Sequence, residues 1–352
     1  MTPKVEESAR RIRAAAERLG RKVRLMEVCG THTHAVGRGG LRALLPESVE
    51  LLSGPGCPVC VTAQPDVDRM INAAELPAAV CTFGDMMRVP GRDATLEARR
   101  AAGADIRVVY SPLDALETAR RERRHEVIFL AVGFETTAPG VAATVLHARA
   151  GGLRNFSILA SHKLIVPAME AVLSGGAAVD GFVTPGHVSV IIGPEAYGSL
   201  AERHGMPCVA AGFEPADVME AVAMLVELIS EGRSGSFVQY GRAVRPGGNR
   251  RAWDVLMSVF EPADAEWRGL GRIPGSGLAL REEFWEFDAV RRFGLPEPPA
   301  FEPAGCRCGD VLRGMLDPRD CPLFGTACTP RKPVGPCMVS SEGACAARHK
   351  YG

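Results

Sequence analysis

The chain has 352 residues and balances 41 Lys and Arg against 41 Asp and Glu. That length allows about two to three domains, each large enough to bury a core without staples. The even charge argues against a nucleic-acid footprint, and no apolar stretch reaches the roughly eighteen residues that a membrane span needs.

Residues 3–19 read as an amphipathic helix. Residues 1–20 mix Arg10, Arg11 and Arg13 with Glu6, Glu7 and Glu17 and carry no apolar h-region. No secretory or organelle leader is read there, and a cytoplasmic location is expected. Short apolar, β-branched runs then follow at Val23–Val28, Val49–Leu52, Ala78–Thr82, Ile106–Tyr110, Val127–Val132, Phe156–Ala160, Gly181–Thr184 and Cys208–Ala211. Helix-like stretches lie between most of them, at Asp66–Glu75, Leu113–Arg123, Gly140–Ala150, Ala168–Leu173 and Asp217–Ser230. Strands alternating with helices predict parallel α/β sheets with right-handed crossovers. The charged run Arg120–His125 is a plausible seam, which gives two α/β domains of about four strands each, 1–124 and 125–233. Residues 234–305 show no clear alternation, and residues 306–352 are rich in cysteine. The expected fold is therefore two parallel-sheet α/β domains followed by a C-terminal region, 234–352.

Loops after strands carry the chemistry, because ligands of open parallel sheets sit outside the carboxyl ends of strands. Here those loops read Cys-Gly-Thr-His-Thr-His (29–34), Gly-Pro-Gly-Cys-Pro-Val-Cys (54–60), Gly-Phe-Glu-Thr-Thr-Ala-Pro-Gly (133–140), Ser-His-Lys (161–163), Pro-Gly-His-Val-Ser (185–189) and Gly-Phe-Glu-Pro (212–215). Cys29 with His32 and His34 suits a soft metal or an activated thiolate, the imidazoles lowering the thiol pKa or co-ligating. Cys57 and Cys60 form a C-x-x-C, fit for a reversible disulfide or half of a metal site, although Pro65 is expected to delay the helix that a thioredoxin-type motif would start. Glu135, Glu214, Asp85, His162, Lys163 and His187 are further polar candidates, each equally readable as a cap, a turn or an interface contact.

Eleven cysteines in a chain read as cytosolic point to metal ligands or redox thiols in preference to an oxidised framework. Six lie at the end: Cys306, Cys308, Cys321, Cys328, Cys337 and Cys345. Four thiolates held by loops suit an iron–sulfur cluster or a structural zinc, and spacing alone does not choose. A tail so poor in apolar residues needs such a staple. No phosphate-binding loop, dinucleotide fingerprint or G-x-S-x-G elbow is present, so ATP- or NAD-driven chemistry has no support.

Taken together, these motifs resemble the hydrogenase maturation factor HypD family. The matching words are CGTHTH (29–34), GPGCPVC (54–60), GFETTAPG (133–140), PGHVS (185–189), GFEP (212–215), CRCGDVLRG (306–314), CPLFGTACTP (321–330) and GPCMVSSEGACAA (335–347). The resemblance implies a [4Fe-4S] cluster and a part in building the Fe(CN)2CO unit of [NiFe]-hydrogenases, as a redox scaffold more than a turnover enzyme. It implies a HypC-like small chaperone that shares the iron, a HypE-like cyanide donor, and a monomer when free. Carried over, Cys29 is the iron-holding thiol with His32 close by. Cys57 and Cys60 bind iron or form a redox disulfide. Glu135 and His187 are further candidates for the active cleft. Cys321, Cys328 and Cys345 are cluster ligands, the fourth being Cys306 or Cys308, with Cys306 preferred and Cys337 a non-ligand. The competing reading is a zinc-dependent thiol enzyme with a structural C-terminal zinc.

Overall fold

The computed structural model describes residues 2–352. All eight expected strands form: β1 (Val23–Glu27), β2 (Val49–Ser53), β3 (Ala78–Thr82), β4 (Ile106–Val108), β5 (Glu126–Gly133), β6 (Phe156–His162), β7 (Gly181–Pro185) and β8 (Pro207–Ala211). β9 (Gly235–Val238), β10 (Phe260–Trp267) and β11 (Gly271–Leu280) follow. They make two parallel sheets, ordered β2-β1-β7-β8-β9 and β4-β3-β5-β6, and an antiparallel hairpin of β10 and β11. β3, β7 and β8 are buried along their whole length, as expected of parallel strands covered on both faces.

The strands do not divide at Arg120–His125. β5, after that run, pairs with β3, before it, and β7 returns to pair with β1, Leu25 opposite Gly181. The second sheet is thus an insertion between β2 and β7. The charged run is an anchored surface turn and not a linker. Asn155 at the start of β6 donates to the carbonyls of Ala119, Glu122 and His125 at 3.0, 3.1 and 2.9 Å, satisfying the end of the preceding helix. The region after Ser234 is also more regular than its sequence suggests. β9 extends the first sheet, and the helix Arg250–Val259 packs beside the helix Ala138–Ala150.

Helices Pro3–Leu19 and Pro215–Ser230 cover one face of the first sheet. Val5, Ala9, Ile12 and Ala16 form the buried stripe of the first, at helical spacing. Val218, Val222, Leu225 and Val226 do the same in the second. Arg11 closes the pair from the solvent side, bridging Glu220 at 2.7 Å and Glu227 at 2.6 Å. Thus residues at the two ends of the first sheet's chain segments hold each other. The carboxyl edges of both sheets, which carry the loops singled out above, open on a common cleft.

Candidate metal and redox site

Cys29 lies two residues past the end of β1 and serves as the N-cap of a helix, Gly30–Arg38, that begins within the CGTHTH residues. It is 1% exposed. Its amide donates to Glu27 Oε2 at 3.2 Å, and the Thr33 hydroxyl donates to the other Glu27 oxygen, so one buried carboxylate ties the strand end to the first helical turn. The GPGCPVC loop packs directly on it. A side chain at Gly56 would bring a Cβ to 2.0 Å from the Cys29 nitrogen, so glycine is required there by contact alone. The Gly30 amide donates to the Gly56 carbonyl at 3.1 Å.

Cys57 and Cys60 are joined as a disulfide with Cα atoms 5.2 Å apart. Cys57 caps a one-turn helix, Pro58–Val61, with Pro58 at its first position. Pro65 therefore does not delay a helix start. It begins a second helix, Gln64–Ala73, while Pro58 begins its own, where its missing N–H costs nothing.

The two imidazoles near Cys29 come from different loops. His32 is fully buried, and its Nε2–H donates to the Gly212 carbonyl at 2.9 Å. That bond fixes the tautomer and leaves Nδ1 bare and without a partner. His187, from the PGHVS loop, places Nδ1 at 3.9 Å from the Cys29 sulfur. Phe213 lies between the two rings, with centroids 5.1 Å from His32 and 5.2 Å from His187.

The electrostatics correct one expectation. Burial pushes both histidines down to about 4, so they are neutral and supply no positive charge to the thiol. Burial, with the Glu27 and Glu342 carboxylates adding to it, pushes Cys29 up to about 12. Burial raises Glu27 itself to about 7. Cys29 therefore waits as a neutral thiol, and a bound metal is what would replace its proton. His34 is not part of this group: its Nε2 lies 3.5 Å from the Tyr351 hydroxyl.

Glu135 is placed elsewhere. It is buried, accepts the Ile165 amide at 2.9 Å, and so caps the helix Ile165–Ser174. Burial raises it to about 7, and its second oxygen has no partner. Its neighbours Phe134, Thr136 and Thr137, not Glu135, line the cleft. Glu214 forms a capping box with Asp217. Lys163 is buried with its ammonium 3.4 Å from Asp66. His162 is buried against Phe260, with neither ring nitrogen partnered.

All six C-terminal cysteines line one small apolar cavity. Cys308 and Cys337 approach to 2.8 Å between sulfurs. The Cys337 thiol, donating to Cys308, holds Cys308 below the ordinary thiol range, and Cys337 is correspondingly raised. Cys306, Cys321, Cys328 and Cys345 remain around the rest of the wall. The thiols ring a space, and thiolates so placed would hold either an iron–sulfur cluster or a structural zinc.

The tail also reaches the Cys29 cleft. Thr31 donates to Glu342 Oε1 at 2.7 Å, and Ser340 donates to Asp85 at 3.3 Å. The Pro58–Val61 turn packs on residues Pro336–Met338, beside Cys337. Cys29, the disulfide and the cysteine cavity therefore lie in sequence through touching segments. Glu27, Thr31, Phe213 and Glu342 escaped the sequence reading. Glu27 left a trace, as the one acid in the strand Val-Arg-Leu-Met-Glu-Val, two residues before Cys29.

Residues 3–352 match the family model HypD, described as the hydrogenase formation hypA family. The chain is 48% identical over 342 residues to the hydrogenase maturation factor HypD of Azotobacter vinelandii, covering 94% of this chain and 90% of that one. It is 46% identical over 359 residues to the HypD of Cupriavidus necator, covering 98% and 95%. It is 47% identical over 354 residues to the HypD of Rhizobium leguminosarum, covering 98% and 92%.

Proposed function

Because the chain belongs to the HypD family of hydrogenase formation proteins, we propose that it is a cytoplasmic redox scaffold on which the Fe(CN)2CO unit is assembled. The iron is cargo, held between Cys29 and a thiolate of a HypC-like small chaperone, and a HypE-like protein delivers the cyanide. The observation that carries this reading is the contiguity of three thiol sets: Cys29, the Cys57–Cys60 disulfide and the six-cysteine cavity.

The groups have separable tasks. Cys29 offers a soft sulfur suited to a low-spin iron bearing strong-field ligands. Its proton leaves as iron binds, and the neutral His187 imidazole, 3.9 Å away, is the base placed to take it. Glu27 holds the Cys29 amide, and Phe213 keeps both imidazoles in place. Reduction of the Cys57–Cys60 disulfide takes two electrons and two protons and yields two thiols. Cys306, Cys321, Cys328 and Cys345 would hold a [4Fe-4S] cluster, which when bound supplies single electrons. Cys308 and Cys337 form a second dithiol beside it.

The test is anaerobic co-purification with the small chaperone, followed by infrared spectroscopy. The parent complex should show bands from bound CN and CO. Cys29→Ser should keep the cluster colour and the partner but lose those bands, because a protonated hydroxyl is a poor ligand for this iron. Bands of parental intensity in Cys29→Ser would refute the assignment.

A further inference from the structure

Among the described residues Arg268 is the one buried arginine, 7% exposed, in the turn between β10 and β11. Its amide donates to the Val61 carbonyl at 2.9 Å, its Nε to the Thr62 carbonyl at 3.1 Å and its Nη2 to the Gln64 side-chain oxygen at 2.8 Å. All three acceptors are neutral, and they lie at the end of the Pro58–Val61 turn and the start of the next helix. The other fully buried long cation, Lys163, has Asp66 at 3.4 Å. Arg268 makes no ion pair among the described residues. A buried charge without a counter-charge is strongly unfavourable, so this guanidinium calls for a negative group beside it.

The cysteine cavity lies on its far side. Gly269, the next residue, packs on Gly309, the residue after Cys308, so closely that a Cβ on Gly269 would fall 2.1 Å from the Gly309 Cα. Glycine at both positions lets the two backbones touch. Arg268 also lines a cavity of about 690 Å³ together with Cys306 and Cys308. Its charge reaches the thiols: the Cys337 thiol lowers Cys308 and Arg268 adds to that, with burial and Glu302 acting against them. Glu266, Glu297 and Glu302 line the same cavity, but all three are exposed to water. Of the neighbouring arginines, Arg307 and Arg313 both pair with Asp310.

We propose that Arg268 is the counter-cation of the six-cysteine cavity: its buried charge balances the thiolates there once they hold their metal group, while its hydrogen bonds tie that cavity to the Cys57–Cys60 turn. This rests on the reading of the cavity as a thiolate-held metal site, and it applies to either metal. Four thiolates carry more negative charge than an iron–sulfur cluster or a zinc ion neutralises, and in a buried site that excess favours a fixed cation close by. Without metal the thiols are protonated and Arg268 has nothing to balance. Arg268 is thus a positioning residue, acting on the metal group through charge and on the disulfide turn through hydrogen bonds.

Release of metal from the anaerobically purified protein to a chelator, followed by colorimetry, tests this beside urea melts with and without metal. Arg268→Gln should speed release about ten-fold or more, and should lower stability only in the metal-bound protein. Arg268→Lys, which restores the charge without the planar fork, should release metal near the parental rate. In cluster-bearing protein Arg268→Gln should also shift the one-electron reduction equilibrium about ten-fold toward the oxidised form, a midpoint about 59 mV more negative. Parental release in Arg268→Gln would overturn the proposal and leave the iron-scaffold reading standing. Equal loss of stability with and without metal would also overturn it, leaving Arg268 a plain anchor of the Pro58–Val61 turn. Release from Arg268→Lys as fast as from Arg268→Gln would assign the effect to hydrogen bonds and overturn the counter-charge. A parent protein that carries no metal would overturn both readings.

Discussion

The two-sheet body and the cysteine-rich tail are held together by different means. In the body, β5 and β6 are buried almost throughout, and Phe129, Phe156 and Phe182 are fully enclosed. Hydrophobic burial suffices there. From Cys306 to Met338 no regular element exceeds five residues, and the fully enclosed aromatic side chains all lie outside it. Its inward-facing groups are mostly thiols around a cavity, with Val311, Leu312 and Met338 buried beside them. The body should thus fold on its own contacts, whereas the tail should depend on what its thiols bind.

The largest expected effect breaks the tail alone. Cys306→Ala, Cys321→Ala, Cys328→Ala and Cys345→Ala should each abolish the brown sulfur-to-iron absorption. Hydrogen-exchange protection should fall in residues 306–352 and persist in β3, β5 and β6. Cys308→Ala and Cys337→Ala should stay brown. Iron and sulfide analysis checks this, and zinc without sulfide in the parent protein would favour the zinc reading instead. A core cut shows the converse. Phe129→Ala should cost the body about 3–5 kcal/mol in a denaturant melt whatever the metal content.

The next effect is a pH dependence confined to the body. Burial raises Glu135 from its ordinary 4.5 to about 7. Below pH 4.5 it is protonated in both folded and unfolded chains. Between 4.5 and about 7 the unfolded chain releases the proton and the folded chain keeps it, so stability falls as pH rises across that window. Glu27 acts in the same direction. His32 and His187, lowered to about 4, act oppositely: they lose stability as pH falls below 6.5. The difference between Glu135→Gln and the parent isolates the glutamate, since Gln can still accept the Ile165 amide. That difference should grow in favour of Gln from pH 4.5 to 7, by at most about 3 kcal/mol. A flat difference in urea melts would mean that Glu135 is ionised in the folded body.

The same contrast sets what the sequence could tell. The eight strands were legible because runs such as Val127–Val132 and Phe156–Ala160 are apolar without interruption, as doubly covered parallel strands must be. Their grouping was not, because the pairing of β7 with β1 spans more than 150 residues, and no local pattern records it. The hairpin β10–β11 was hidden by Pro262, Pro274 and four glycines within its strands and turn, which weaken any alternation. Site residues were legible where chemistry and spacing coincide, as at Cys29 and Cys57–Cys60. Protonation was not. The histidines of CGTHTH and PGHVS suggest a cationic neighbour for Cys29, and only burial, a tertiary property, makes them neutral.

The smallest effect tests where body and tail meet. Glu342 lies between Cys337 and Cys345 and touches the Cys29 loop twice. Its side chain lies where a Cβ on Gly30 would come within 2.4 Å, and its Oε1 accepts the Thr31 hydroxyl at 2.7 Å. Thr31→Val keeps the shape and removes the donor, so stability should fall by only about 1–2 kcal/mol, with the cluster colour unchanged. Combined with Glu342→Ala, which removes the acceptor, the loss should be less than additive, since both changes break one bond. Cys29 is 1% exposed, and Glu342 is part of its cover. Alkylation of Cys29 by iodoacetamide, followed by peptide mass spectrometry, should therefore quicken severalfold in Thr31→Val and more in Cys345→Ala, where the whole segment loosens. Unchanged alkylation in both variants would show that the tail does not cover Cys29, and the two regions would then be coupled only through the disulfide loop.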